Sequence, residues 1–229
     1  TGLPITDATV SVSGPDGYSK TATTNEGYFS QTDWSDGDGQ TIIGSESKYL
    51  DSDGNIDIST EGSLSLLNSG SGYSSSGYLT SSTIDTGSTS NFRQIIWSPV
   101  SQPSGVGTSG VRFQIATNND NLTWNFVGPD GTAATYFDQS NQNIDSSHNG
   151  HRYLRYRVYL STADNLYTPS ISDKSFTYTS GCIPPGQVSF SKLQTGSYVV
   201  DIEKDGYQSV SRIIDISNSW TKTEFSITP

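Results

Sequence analysis

Residues 186–208, GQVSFSKLQTGSYVVDIEKDGYQ, constrain the fold more than any other stretch of this chain. Gln187 to Ser191 alternate with a period of two, and Thr195-Gly196 supplies a turn. Tyr198, Val200 and Ile202 then share one face of a second strand before Asp205-Gly206 turns again. The pattern predicts a β-hairpin. Two strands alone bury too little apolar surface to stand in water, so partner strands must come from elsewhere. The best partners lie at the other end of the chain, in Ile5 to Ser30. There Ala8, Val10 and Val12 share a face, Gly14-Pro15-Asp16-Gly17 turns, and Tyr18 to Ala22 returns. The chain therefore reads as one sandwich built by both termini and split by a second domain.

A length of 229 residues suffices for two domains, each with its own core. No stretch carries apolar residues at helical spacing over three turns, Met is absent, and Gly (23) and Tyr (13) are abundant. An all-β protein with many short strands is expected. The net charge of −11 disfavours nucleic acid and anionic membrane surfaces, whose binding is driven by Lys and Arg, and it suits calcium. Cys182 is alone, so no internal disulfide forms. Thr1 in place of an initiator Met suggests a chain processed or cut from a longer one, and no segment has the apolar length to span a bilayer.

Four segments, LPITDATVSVSG, TTNEGYF, VSFSKLQTGSYVVDIEKDGY and IIDISNSWTKTEFSI, resemble the carboxypeptidase-regulatory-like domain, a relative of the Cna B-type and transthyretin-like sandwiches. In that family the TTNxGxF turn runs almost directly into FxxLxxGxY. About 150 residues intervene in this sequence, more than a loop holds without its own core. Ile5 to Gly14 contains no Lys, so the internal isopeptide crosslink of some Cna B-type domains is not expected. The resemblance implies a discontinuous sandwich of residues 1–30 plus 184–229, with residues 31–183 inserted and Cys182-Ile183-Pro184-Pro185 stiffening one crossing.

The entry to the insert is rich in turn formers at residues 35–39 and 51–57. From Ser63 onward strands are expected at Leu64 to Leu67, Gly77 to Ile84, Phe92 to Trp97, Val111 to Thr117, Leu122 to Phe126, His151 to Leu160 and Ser172 to Thr179. This is the spacing of an antiparallel sandwich or jelly roll. The segments YLTSSTIDTGSTSNFRQIIW, VRFQIATNNDNLTWNFVGPDGT and NGHRYLRYRVYLSTADNLYTPSISDKSFTY resemble jelly-roll domains related to galactose-binding and carbohydrate-binding modules. Together with the junctions WSDGDGQTI and GCIPPGQVSF, the combination is similar to the ectodomain of prepilin-type surface proteins. The amino-terminal pilin helix of such proteins is not in this sequence. The resemblance implies a cell-surface or extracellular setting and partners that are other surface or pilus subunits, or a glycan.

Two clusters are candidates for binding. Tyr153, Arg155, Arg157 and Tyr159 share one face of a strand, while Leu154, Tyr156, Val158 and Leu160 form the core face. The first face offers rings for stacking and guanidinium forks for a sugar or a carboxylate, with Trp124 as a further platform and Trp97 and Tyr136 beside it. The same face also reads as an outer sheet surface whose arginines pair with neighbouring Asp. Asp51, Asp53, Asn55 and Asp57 place oxygen ligands at alternate positions of a Gly-containing loop and are expected to hold a structural Ca²⁺, the other reading being a solvated Asx-rich turn. Gly54 comes too early for an EF-hand, and Gly62 stands where a bidentate Glu is required. The jelly-roll resemblance adds Asp173 as a further ligand, and Asp33, Asp36 and Asp38 form a weaker cluster.

His148 and His151 have no third ligand and read as exposed turn residues, and Cys182 lacks a catalytic setting. No carboxylate pair stands out as general acid and base, so a non-enzymatic surface or pilin-like structural and adhesive module is expected. The alternative is a carbohydrate-binding module attached to a larger surface protein or enzyme.

Overall fold

The computed structural model describes residues 5, 7–24, 26–35, 41–42, 49–180 and 186–229. Asp36, Asp38, Cys182 and the Pro184-Pro185 crossing lie outside the described residues. Sixteen strands are described: β1 Thr9–Ser13, β2 Ser19–Thr23, β3 Glu26–Gln31, β4 Thr41–Ile42, β5 Tyr49–Ser52 and β6 Ile56–Thr60 come first. β7 Ser63–Leu66, β8 Ser76–Ser81, β9 Thr83–Ser98, β10 Val111–Asn118 and β11 Gln142–Asn143 follow. β12 His151–Ser161, β13 Ser170–Ile171, β14 Asp173–Ser180, β15 Gly196–Glu203 and β16 Val210–Ile216 complete the series. The helical content among the described residues is three single 3₁₀ turns, so the protein is all-β. No helix among the described residues is long and apolar enough to cross a membrane.

The chain divides into two compact units, Thr1–Tyr28 with Thr179–Pro229, and Phe29–Tyr178. In the first, a four-stranded antiparallel sheet has the order β16-β15-β1-β2. Val10 lies opposite Ile202 and Val12 opposite Val200, so strands from the two ends of the sequence share one ladder. Ala8, Val10, Val12, Tyr198, Val200 and Ile202 form its buried core. Tyr198 fixes one end: its ring stands edge-on to Tyr18 with centroids 5.5 Å apart. A Cβ placed on Gly14 would sit 2.3 Å from the Tyr198 ring, so glycine is required there by close approach.

The hairpin expected within 186–208 is corrected. β15 pairs with β1 on one edge and β16 on the other, through the Asp205-Gly206 turn, which leaves no ladder edge for Gln187 to Ser191. That segment is not a strand. Val188 and Phe190 instead pack, partly buried, against the core, joined by Phe225 and Ile227. Period-two alternation recorded which side chains are covered, not which backbone groups pair.

The second unit is built on a nine-stranded sheet whose main path is β3-β14-β9-β12-β8-β5, and on a three-stranded sheet β13-β7-β6. β10 lies along β12 from Asn118 opposite Tyr153 to Val111 opposite Leu160. The other edge of β12 is shared end to end by the start of β9, with Leu154 opposite Ile84, and by β8, with Arg157 opposite Thr80. Leu154, Tyr156, Val158 and Leu160 point into the core at 1% exposure or less. β9 bends at Gly87, whose φ of +81° admits glycine readily, and the Gly87 N–H donates to the Asp85 carboxylate at 2.8 Å.

At the centre of this core the Tyr156 hydroxyl accepts from Trp34 Nε1 at 2.8 Å and donates to Gln31 Oε1 at 2.6 Å. Burial pushes the Tyr156 pKa well up, so the hydroxyl stays neutral. The expected strand at Leu122 to Phe126 is also corrected. Asp120 Oδ1 accepts from the N–H groups of Leu122 and Thr123, and Asn118 Nδ2 donates to the Thr123 carbonyl. These side-chain bonds take backbone groups that a ladder would need. Only single bridges remain on this side of β10, Val127 to Ile115 and Phe137 to Phe113.

Candidate functional site

β12 presents Tyr153, Arg155, Arg157 and Tyr159 on the face opposite the core, all half-buried. Cross-strand register adds neighbours to that face. Arg112 and Tyr78 flank Tyr159, Gln114 and Thr80 flank Arg157, and Asp85 lies opposite Tyr153. The loop after β10 lays its rings over this surface. The guanidinium of Arg155 lies 4.3 Å from the Trp124 ring centre, that of Arg157 4.4 Å from Phe126, and that of Arg112 4.6 Å from Tyr136. Tyr136 also meets Tyr159 edge-on at 5.2 Å. These distances are those of cation–π contacts, in which the charge rests against the ring.

Those donors are incompletely satisfied by the protein. Arg155 Nε donates to Thr83 Oγ1 at 3.0 Å and Arg157 Nε to Thr80 Oγ1 at 2.9 Å. Neither arginine makes an ion pair with a described carboxylate, and Arg112 Nε is buried without an acceptor. Burial lowers the Arg155 pKa from its ordinary value, yet an arginine remains charged. The Arg–Asp pairing of an outer sheet face is found next door instead. Arg152 grips Asp85 with two bonds of 2.7 Å, and its guanidinium is the main cause of the lowered Asp85 pKa. Pairing of Arg155 and Arg157 with neighbouring carboxylates is therefore not what holds them in place.

All five sequence-derived residues, Tyr153, Arg155, Arg157, Tyr159 and Trp124, thus belong to one surface. Arg112, Tyr78 and Phe126 belong to it as well and were missed. Arg112 shares its strand parity with Gln114, and pairing β10 against β12 would have revealed it. Trp97 and Tyr136 separate: Tyr136 joins the face, whereas Trp97 packs on Phe113 in the core at 4% exposure. A separate concavity of about 190 Å³ beside Trp97 and Asp138 has no arginine or lysine in its lining.

The expected calcium ligands carry local hydrogen bonds. Asp53 accepts from the Asn55 N–H at 3.0 Å and its amide at 3.3 Å, and Asp57 accepts from the Ser59 N–H and hydroxyl. The Ser59 bonds hold the Asp57 pKa below the usual carboxylate value. Asp51 accepts from the Tyr78 hydroxyl at 3.3 Å, and the Asp51 charge, followed by burial and that bond, raises the Tyr78 pKa. Asp173 belongs to β14, near one end of the sheet path, while Asp51 belongs to β5 at the other. It accepts from Ser175 at 2.9 Å. Asp33 likewise caps its own turn through Ser35. Among the described residues no three His, Cys, Asp or Glu side chains form a group that could hold a metal ion.

The exposed-turn reading of the histidines is corrected too. His148 is 4% exposed, and Thr117 Oγ1 sits between His148 Nδ1 at 2.9 Å and His151 Nδ1 at 2.7 Å. A hydroxyl has one proton, so it donates to one ring and accepts from the other. His148 Nε2 is buried without a partner, and a bare nitrogen is tolerated there better than an N–H. We therefore assign the Nδ1–H tautomer to His148 and the acceptor role to His151 Nδ1. Burial pushes the His148 pKa down to about 4, opposed by Asp145 and helped by His151.

No protein-family model matches the chain, and no curated protein matches it. Among solved structures it is similar to the glycoside hydrolase domain of Endo-D from Streptococcus pneumoniae R6, at 9% identity and a TM-score of 0.35, over 82% of this chain and 43% of that one. The chain thus spans less than half the length of that structure. Because the similar structure is a glycoside hydrolase domain, the expectation that this chain is not an enzyme is corrected and is not carried forward. At so low a TM-score the likeness assigns neither a fold nor an activity to this chain.

Proposed function

We propose that the unit formed by residues 29–178 is a carbohydrate-recognition module whose ligand lies along the Trp124, Arg155, Arg157 and Tyr159 face. The observation that carries this reading is the set of arginines stacked on aromatic rings with no carboxylate partner. Sugars present apolar C–H faces that stack on rings and hydroxyl oxygens that accept from fixed donors, and this surface offers both in alternation. Half of the chain's six arginines, Arg112, Arg155 and Arg157, gather on it although the protein carries a net charge of −11. Arginines that served only solubility would be spread among the many acidic residues.

The finer reading of the fold belongs to the same proposal: a jelly-roll insert within a carboxypeptidase-regulatory-like sandwich. Its support is the shared ladder of β1 and β15, which joins the two chain ends in one core. We also place the module outside the cell, within a larger surface protein that uses it for adhesion to a glycan or a neighbouring subunit.

The test is a glycan array probed with the whole chain, followed by calorimetry on the glycans retained. Trp124→Ala and Tyr153→Ala are expected to abolish retention while their circular dichroism stays that of the wild type. Absence of any retained glycan on the wild-type array contradicts the reading.

A further inference from the structure

We propose that the glycan bound by this face is acidic, with carboxylates on its sugar rings, so that the module selects uronic-acid-containing saccharides over neutral ones. This rests on the carbohydrate reading above and names the ligand class within it. The arrangement of donors carries it. Arg155 and Arg157 each spend Nε on a threonine and lie against an aromatic ring, and their terminal nitrogens donate to no described protein group. Arg112 lies over Tyr136 beside them and adds its positive charge to the same face. The terminal nitrogens of Arg155 and Arg157 are not among the buried unpartnered atoms, so a ligand can reach them, and a charge-assisted bond to an anion is about twice as strong as one to a neutral acceptor.

Carboxylate fits this geometry better than the other acceptors available. It is planar, takes two parallel N–H bonds from one fork, and brings a charge that a hydroxyl lacks. Arg155 and Arg157 are two residues apart on one strand, about 7 Å along it, so one small anion does not fill both forks. A saccharide that carries a carboxylate on successive rings supplies one to each, while the half-buried rings of Trp124 and Phe126 lie against its apolar faces. The nearby acids do not compete. Asp85 is already held by Arg152, and Asp51, one strand beyond Thr80 in the row of Arg157, accepts from the Tyr78 hydroxyl and makes no ion pair with the arginine. A net charge of −11 repels polyanions elsewhere on the surface, which argues against nucleic acid and for recognition confined to these forks.

The experiment is isothermal titration of the whole chain with oligomers of polygalacturonate, alginate and hyaluronan, each beside its carboxyl-reduced neutral counterpart, and with dextran sulfate. The expected result is that at least one acidic oligomer binds about tenfold or more tightly than its reduced form, and that rising ionic strength weakens it. Arg155→Gln and Arg157→Gln are expected to bring the acidic oligomer down to the affinity of the neutral one. Arg157→Lys, which keeps charge but loses the fork and is less disruptive to packing, restores only part of the difference. Equal binding of acidic and reduced forms overturns the carboxylate assignment and leaves the carbohydrate reading standing. Dextran sulfate binding as tightly as the uronates overturns it in favour of general anion attraction. Binding of no saccharide here, combined with an empty glycan array, overturns both.

Discussion

The guanidinium of Arg155 lies 4.3 Å from the ring centre of Trp124, while its Nε reaches across to the Thr83 hydroxyl at 3.0 Å. One contact comes from a loop and the other from β9, so the fork is held from two sides before any ligand arrives. Preorganisation of this kind lowers the ordering cost of binding. Trp124→Ala removes the upper contact. It is expected to weaken glycan binding by about tenfold or more, while unfolding stability falls by only about 0.5–1 kcal/mol, the range for a partly exposed cation–π pair. Calorimetric titration and thermal denaturation of the same preparation separate the two effects.

Tyr156→Phe tests the centre of the core. The substitution removes both the acceptor used by Trp34 Nε1 and the donor to Gln31 Oε1, in a site with no water-exposed atoms of Tyr156. A loss of about 1–3 kcal/mol in urea denaturation is expected, with the fold retained. A change below the error of the extrapolation would show that this network is not needed.

Acid sensitivity follows from His148. Its folded pKa of about 4 lies below the ordinary 6.5, so the unfolded chain takes up the proton first. The contribution is fully present above pH 6.5, is lost as pH falls from there through about 4, and is on the order of 3 kcal/mol. Asp85 and Asp57, with lowered pKa values, lose their own contributions at the acid end of that range and below it. His148→Asn keeps a partner for Thr117 and is expected to flatten the stability profile between pH 6.5 and 4. Chemical denaturation at a series of pH values reads this directly. In the wild type, NMR is expected to show the Nδ1–H form of neutral His148.

Gly14→Ala probes the other unit. The added methyl would meet the Tyr198 ring at 2.3 Å, and that ring is 1% exposed and fixed against Tyr18. A loss of about 1–3 kcal/mol in stability is expected, the range for overpacking a core, as read by thermal unfolding. Gly17→Ala, where nothing lies within 4 Å but φ is +76°, separates backbone strain from collision.

Much of this was legible in the residues themselves, for a reason that β12 illustrates. Its two faces differ so sharply that parity alone sorts Leu154, Tyr156, Val158 and Leu160 from the arginines and tyrosines between them. The kinship of β1 and β15 was legible in the same way, from alternation plus the turns at Pro15-Asp16 and Asp205-Gly206. Patterns that depend on competition between partners were not. Gln187 to Ser191 alternates like a strand, yet both edges of β15 are already taken.

Leu122 to Phe126 lost its ladder to side chains a few residues away. Lys174 shows the strongest limit. It is fully buried, with Nζ 5.0, 3.8 and 3.9 Å from the ring centres of Phe29, Tyr156 and Phe176, which come from three different strands. No local period announces a lysine enclosed by rings brought together only in the folded sheet. The residues expected to hold calcium also obey a local rule: alternate oxygen-bearing residues cap their own turns, as Asp53 and Asp57 do.

The most direct test of the central claim is an NMR titration of isotope-labelled chain with a glycan retained on the array, following the four indole and six arginine Nε–H signals. The account predicts that the Trp124 indole and the Arg155 and Arg157 Nε–H signals move together and saturate with one dissociation constant, while the buried Trp34 and Trp97 indoles stay in place. Movement of the Trp97 indole with Trp124 unmoved would put the ligand beside Asp138 instead and contradict the account.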